Sequence, residues 1–335
     1  MADSSTLGGN RGRIRAEQLL RSRQDFSLHP PDGHRRASIT DLYFYRPGHL
    51  LVHNDHVDDV TRELDRHRVE LRDAKAHRGF THFTTSARSD PHDLIKRIQQ
   101  TGGRHLRVTP NHLLFGVGGW MTEPATEPEP ADPPEPEKSR VGTGVSMAII
   151  DTGLAKDYRK LKLLNTGVKA GPGGCEDPYE RGEGLLAHQA GHGTFVAGVV
   201  RQRAPAVRIE EIRVLDSHGI VDEASLSDAI ASLLPASSSR RAAPQIINLS
   251  LGGYTRADAP LMALDWLADI EHPLILAAAG NSDSTRPFYP AALKHLDIAA
   301  VGAVEEVPPV DGDLPDSNEI VRVPGQQDRY ARAWF

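Results

Sequence analysis

Five short apolar runs in the second half of the chain constrain its fold more than any other feature. Residues 145–150, 207–214, 245–251, 274–279 and 297–304 each read as a strand buried on both faces, and residues 195–201, 224–234 and 260–270 read as helices between them. Strands that alternate with helices are joined by right-handed crossovers, so the expected product is a mostly parallel sheet with helices on both faces. In such sheets ligands gather at the carboxyl ends of the strands, which is where Asp151, Ser250 and Asn281 fall.

One strand end and one helix start carry acid–base chemistry in their residue types. Asp151 closes the run Met147-Ala148-Ile149-Ile150, so its carboxylate stands where the sheet opens. Gly191-His192-Gly193-Thr194 opens a helix of small residues, and the glycines let other backbone come close to the imidazole. An imidazole takes up and returns protons near neutral pH, and a carboxylate on its far nitrogen fixes the tautomer and stabilises the imidazolium. Taken singly, each signal has a plainer reading. A strand-end aspartate caps turns, one of sixteen histidines can start a helix, and an asparagine after a strand makes a turn. Asp151-Thr152-Gly153 also occurs in aspartic proteases, but those need a second such triplet, which is absent. His188 and His192 have the spacing of a zinc helix, yet Gln189 cannot act as the base that motif requires, and Gly191 disfavours a helix there.

Asp151-Thr152-Gly153, Gly191-His192-Gly193-Thr194 and Ala279-Gly280-Asn281, in that order, resemble the subtilases, the subtilisin-like serine proteases, over residues 144 to about 304. The resemblance implies a serine endopeptidase acting on polypeptide substrate. Asp151 would orient, His192 would be the base, and Asn281 would donate to the oxyanion. Ser250, Leu251 and Gly252 would pair with substrate as an added strand, with Ala279 and Gly280 leaving room for the side chain on the acyl side of the scissile bond. It implies calcium by resemblance only, since no carboxylate cluster in the sequence matches a site for it. The family's Gly-Thr-Ser-x-Ala-x-Pro does not occur after Asn281; Ser282, Ser284 and Ser317 lack the alanine and proline that follow, and Ser250 sits in a wall segment. The expectation is therefore a catalytic domain that stops, at Ala333-Trp334-Phe335, short of its nucleophile, with little or no activity as it stands. A peptide-binding pseudoprotease is the alternative, and zinc hydrolysis a third reading.

Upstream the pattern is different. Leu50-Leu51-Val52, 69–71, 79–84 and 104–108 read as strands, and 55–67 and 91–101 as helices, giving a βαββαβ, ferredoxin-like domain over residues 41–118. Placed before a subtilase-like domain, it is similar to the propeptides that fold such enzymes and then block their clefts. The expected organisation is a disordered tail (1–40), the propeptide-like domain (41–118), an acidic proline-rich linker (119–140) and the catalytic part (141–335). The net charge of −6 gives no case for a nucleic-acid partner. The arginines of the tail lack the apolar stretch of a secretory signal, no run is long enough for a membrane span, and the single Cys175 fits a reducing compartment, so the expected location is cytoplasmic.

Overall fold

The computed structural model describes residues 25–29, 42–86, 89–116, 140–179, 187, 189–234, 242–280 and 285–302, together with the backbone of three short strands at 304–306, 320–321 and 330–332. The first 24 residues, the proline-rich stretch, His188, Asn281, Ser282, Ser284, Ser317 and the last three residues lie outside the described residues.

The second half of the chain forms a six-stranded parallel sheet in the order β13-β12-β10-β6-β8-β7. These are β6 (Ser146–Asp151), β7 (Val168–Ala170), β8 (Arg208–Arg213), β10 (Ile246–Leu249), β12 (Leu274–Ala278) and β13 (Ala299–Val301). Side chains alternate across it. Ala148, Ile150, Ile212, Ile247, Leu249, Ile275 and Ala277 pack with Leu226, Ile230 and Leu233 of one helix (Glu223–Leu233) and with the 3-10 turns of Met262–Asp269. Met147, Ile149 and Ile209 face Ala197 of another helix (His192–Arg203) on the opposite side. Burial on both faces is why these strands read as continuous apolar runs.

Several boundaries differ from expectation. Residues 260–270 make 3-10 turns in place of an α-helix. The 245–251 run breaks at Ser250 into β10 and β11 (Leu251–Gly252), because β11 leaves the parallel sheet to pair antiparallel with an upstream strand.

The N-terminal half has the expected βαββαβ order: β2 (Tyr43–His53), α1 (Val57–Arg66), β3 (Leu71–Ala76), β4 (Phe80–Thr85), α2 (Pro91–Thr101) and β5 (Val108–Gly116). All neighbours are antiparallel, in the order β5-β2-β4-β3. Asp90 caps α2 by accepting from the His92 N–H, with Pro91 in the first turn. Leu50, Val52, Val60, Leu64, Phe83, Leu94, Ile95 and Ile98 fill the core between sheet and helices.

Three corrections apply here. β2 begins before Pro47-Gly48, with a register shift between Tyr45 and Leu50 that accommodates them. The last strand is not 104–108 but begins at Val108, after a turn at Gly103 with φ of 110°. Within the expected disordered tail, β1 (Ser27–His29) pairs with β2, burying Phe26 and Leu28 against Phe44, Leu113 and Phe115. Apolar burial there outweighs the polar composition of the surrounding stretch.

The two halves share a sheet. β5 pairs antiparallel with β9 (Ile220–Asp222) on one side and β11 on the other. The opposite part of the N-terminal sheet sits on the helix Glu223–Leu233, called α4 below, through Leu51, Phe80, Ala224, Met262 and Ala263.

Candidate active site

The site is built where β6 ends. Asp151 is fully buried, and its Oδ1 accepts from the Thr152 N–H at 2.7 Å and from His192 Nδ1 at 2.7 Å. His192 opens the helix His192–Arg203, α3 below, whose cap residue Gly191 has φ of 88°, a left-handed conformation costly for any residue with a Cβ. Gly191 has no side chain to cap with, and the carboxylate of Glu176 takes its N–H instead, at 2.8 and 2.9 Å. Gly193 donates to Thr152 Oγ1 at 3.1 Å, and a Cβ there would lie 2.7 Å from the Gly153 carbonyl oxygen. Glycines on both sides of the histidine thus serve the close approach of α3 to the Asp151-Thr152-Gly153 turn.

Burial of the imidazole opposes its charge, but the hydrogen bond and charge of Asp151, with Glu176 adding, prevail and raise its pKa above 6.5. Since Nδ1 donates to Asp151, Nε2 is the nitrogen left to accept a proton, and the side chain is 19% exposed. Two acids of this site were not singled out in the sequence. Glu176 is held above its ordinary pKa by burial, opposed by the Gly191 and Thr152 hydrogen bonds. Glu211 of β8 is fully buried and accepts from the Gly153 N–H at 2.8 Å.

Ser250, Leu251 and Gly252, expected to form one wall, follow β10, and the last two make up β11. Ser250 Oγ accepts from Asn248 Nδ2 at 2.9 Å, while Leu251 and Gly252 pair with Gly116 and Phe115 of β5. Ala279 and Gly280 form a second wall, with the Ala279 N–H donating to the Val301 carbonyl at 2.8 Å. The expected room between these walls is occupied. A Cβ on Gly252 would lie 2.2 Å from Phe288 Cε1, and one on Gly280 would lie 2.9 Å from Phe288 Cγ, so the Phe288 ring is wedged between the two glycines. Tyr254 packs edge-on against that ring, with centroids 5.5 Å apart.

β5 runs along this groove as a third strand. Its Leu113, Leu114 and Phe115 face Asp222, Val221 and Ile220, and the Gly116 N–H donates to the Gly219 carbonyl at 2.7 Å. A Cβ on Gly116 would touch Leu215 and Gln189 at 3.4 and 3.5 Å. Gln189 in turn accepts the His192 N–H, so the strand arrives beside the turn that presents the imidazole. Among the described residues no group of three or more His, Cys, Asp or Glu side chains is arranged to hold a metal ion.

A parallel sheet that offers a carboxylate-held imidazole at its carboxyl edge, beside the short strands β9 and β11, has the layout of an acid–base site. Residues 142–330, more than half of the chain, match the Subtilase family, and the chain belongs to that family. It is 33% identical over 177 residues to subtilisin DY of Bacillus licheniformis, a match covering 49% of this chain and 58% of that protein. It is 27% identical over 195 residues to thermitase of Thermoactinomyces vulgaris, covering 55% of this chain and 62% of that one. Among solved structures, fervidolysin from Fervidobacterium pennivorans, a keratinolytic enzyme related to subtilisin, aligns with 86% of this chain and 52% of its own at 16% identity and a TM-score of 0.48. The chain therefore spans between 52% and 62% of the length of these relatives.

Proposed function

We propose that the protein is a serine endopeptidase in which Asp151 and His192 are two members of the triad and the N-terminal domain is its own cleft-blocking propeptide. The observation that carries the reading is the pairing of β5 between β9 and β11, a peptide strand led up to a hydrogen-bonded Asp–His pair. In this reading His192 Nε2 takes the proton of a serine hydroxyl as that oxygen attacks the scissile carbonyl. The same proton then passes to the leaving amine, while Asp151 stabilises the imidazolium in between. The serine comes from sequence beyond residues 1–335, and Asn281 supplies a donor to the oxyanion.

Substrate pairs with the edges of Ile220–Asp222 and Leu251–Gly252, the places β5 now holds, so β5 competes with substrate for backbone hydrogen bonds. With Phe288 between Gly252 and Gly280, the slot on the acyl side takes glycine or alanine in preference to larger residues.

The test uses the reading frame extended past Phe335. Expression should give cleavage of the chain shortly after Gly116, seen as a released N-terminal fragment by mass spectrometry, and hydrolysis of an Ala-rich fluorogenic peptide. A complete frame that neither processes itself nor hydrolyses peptides, with β5 still bound, supports the peptide-binding alternative instead.

A further inference from the structure

Glu211 has no place in the triad, yet it lies behind it. β6 and β8 are parallel neighbours with Ile149 opposite Glu211 and Asp151 opposite Arg213, so Glu211 and Asp151 project from the same face of the sheet, two residues apart in register. Glu211 Oε1 accepts from the Gly153 N–H, directly after the triad aspartate's turn, and lies 3.2 Å from where a Gly193 Cβ would be, beneath the start of α3. Its Oε2 is buried with no hydrogen-bond partner among the described residues, and so is Asp151 Oδ2. Two ionised carboxylates, each with a bare oxygen in one dry layer, is an arrangement proteins avoid. A proton on one of them converts a repulsion into a hydrogen-bond donor.

We propose that Glu211 is a positioning residue for the Asp151–His192 pair: a neutral carboxyl that holds the Asp151-Thr152-Gly153 turn through the Gly153 N–H and turns its O–H toward the free oxygen of Asp151. The proposal rests on the peptidase reading only in what the positioning serves. The charged groups around Glu211 are Asp151 from β6, Arg213 from its own strand and Glu176 from the loop before α3, with His192 reached through Asp151; the β7 residue in register, Ala170, carries no charge. Burial, then the charge of Asp151, pushes the Glu211 pKa up to about 8, with the Gly153 hydrogen bond opposing. Loss of this proton puts a second negative charge behind Asp151, which pulls His192 further toward imidazolium and loosens the turn.

A carboxyl whose folded pKa is raised binds more protons folded than unfolded between about 4.5 and about 8, so its contribution to stability falls as pH climbs through that window. Glu211→Gln keeps the acceptor for Gly153 and removes the titration.

The experiment is carbon-13 NMR of the full 335-residue chain labelled at glutamate carboxyl carbons, with the His192 ring followed in parallel and melting temperatures recorded for the parent and for Glu211→Gln. One glutamate carboxyl should titrate near pH 8, and the His192 resonances should show an inflection at the same pH. Both should vanish in Glu211→Gln, while the intrinsic His192 titration survives. The melting temperature of Glu211→Gln should pull ahead of the parent by about 3 °C or more between about pH 5 and pH 8. The proposal is overturned if every glutamate titrates below about pH 6 in the parent, if the inflection persists in the variant, or if the two melting curves stay parallel across that window. The parent titration alone decides should the variant fail to fold. No activity enters these readouts, so a failed peptidase reading leaves them unchanged.

Discussion

Two carboxylate–imidazole pairs in this molecule have the same bond length and opposite surroundings. His192 Nδ1 meets Asp151 at 2.7 Å, and His112 Nδ1 of β5 meets Glu223 of α4 at 2.7 Å. At His112 the other nitrogen accepts the Arg256 N–H at 3.1 Å, Glu223 also takes the Ala263 N–H, and the pair is 1% and 0% exposed. Every polar atom there has a partner, so the pair fastens the N-terminal strand to the helix beneath it. At His192 only Nδ1 is engaged, by Asp151, and the side chain keeps 19% exposure. Proton transfer needs that unspent nitrogen, and the carboxylate–imidazole contact by itself distinguishes nothing.

The contrast can be broken at either end. In the serine-bearing frame, His192→Ala should abolish peptide hydrolysis, lowering kcat by roughly a million-fold, the magnitude that loss of the triad histidine has in subtilisin. Asp151→Asn should cost on the order of ten-thousand-fold in kcat, because the amide no longer fixes the tautomer.

The pH dependence sharpens the same point. Because the His192 pKa is raised, kcat/KM should rise with pH through a midpoint above 6.5, and Asp151→Asn should move that midpoint down. The imidazolium's contribution to stability is whole below pH 6.5 and is lost as pH rises through the folded value, which melting curves of the two forms would register.

At the fastening pair, His112→Ala should destabilise the 335-residue chain by about 2–4 kcal/mol, read by denaturant unfolding, since it strands a buried carboxylate. The smallest effect concerns the groove. Phe288→Ala should open the slot between Gly252 and Gly280 and shift preference toward larger acyl-side residues by about 10–200-fold in kcat/KM, measured on a peptide series.

The sequence exposed those parts of the structure whose signals are local. Met147 to Ile150 before Asp151, and glycines flanking His192, reflect buried strand and close backbone approach, and they located the pair. The βαββαβ order was readable because helices such as Asp90-Pro91 to Thr101 carry their own cap and apolar stripe.

What stayed hidden depends on partners remote in the chain. β5 extends to Gly116 because β9 and β11 flank it, and nothing within 108–116 announces two partners more than a hundred residues away. Ser27–His29 is a strand only by virtue of β2. Phe288 follows a polar turn-like stretch, and its wedging appears only when Gly252 and Gly280 are set side by side. Glu211 left a faint mark: it shares a face with Ile209 in a strand buried on both sides, a position where an acid needs a reason.

Labelling of the extended frame with a serine-reactive fluorophosphonate, compared between the parent and His192→Ala, reads out whether the Asp151–His192 pair activates a nucleophile. The expectation is one serine labelled per chain in the parent, no labelling in His192→Ala, and none in residues 1–335 alone. Stoichiometric labelling that survives His192→Ala, or a complete frame that never labels, would contradict it.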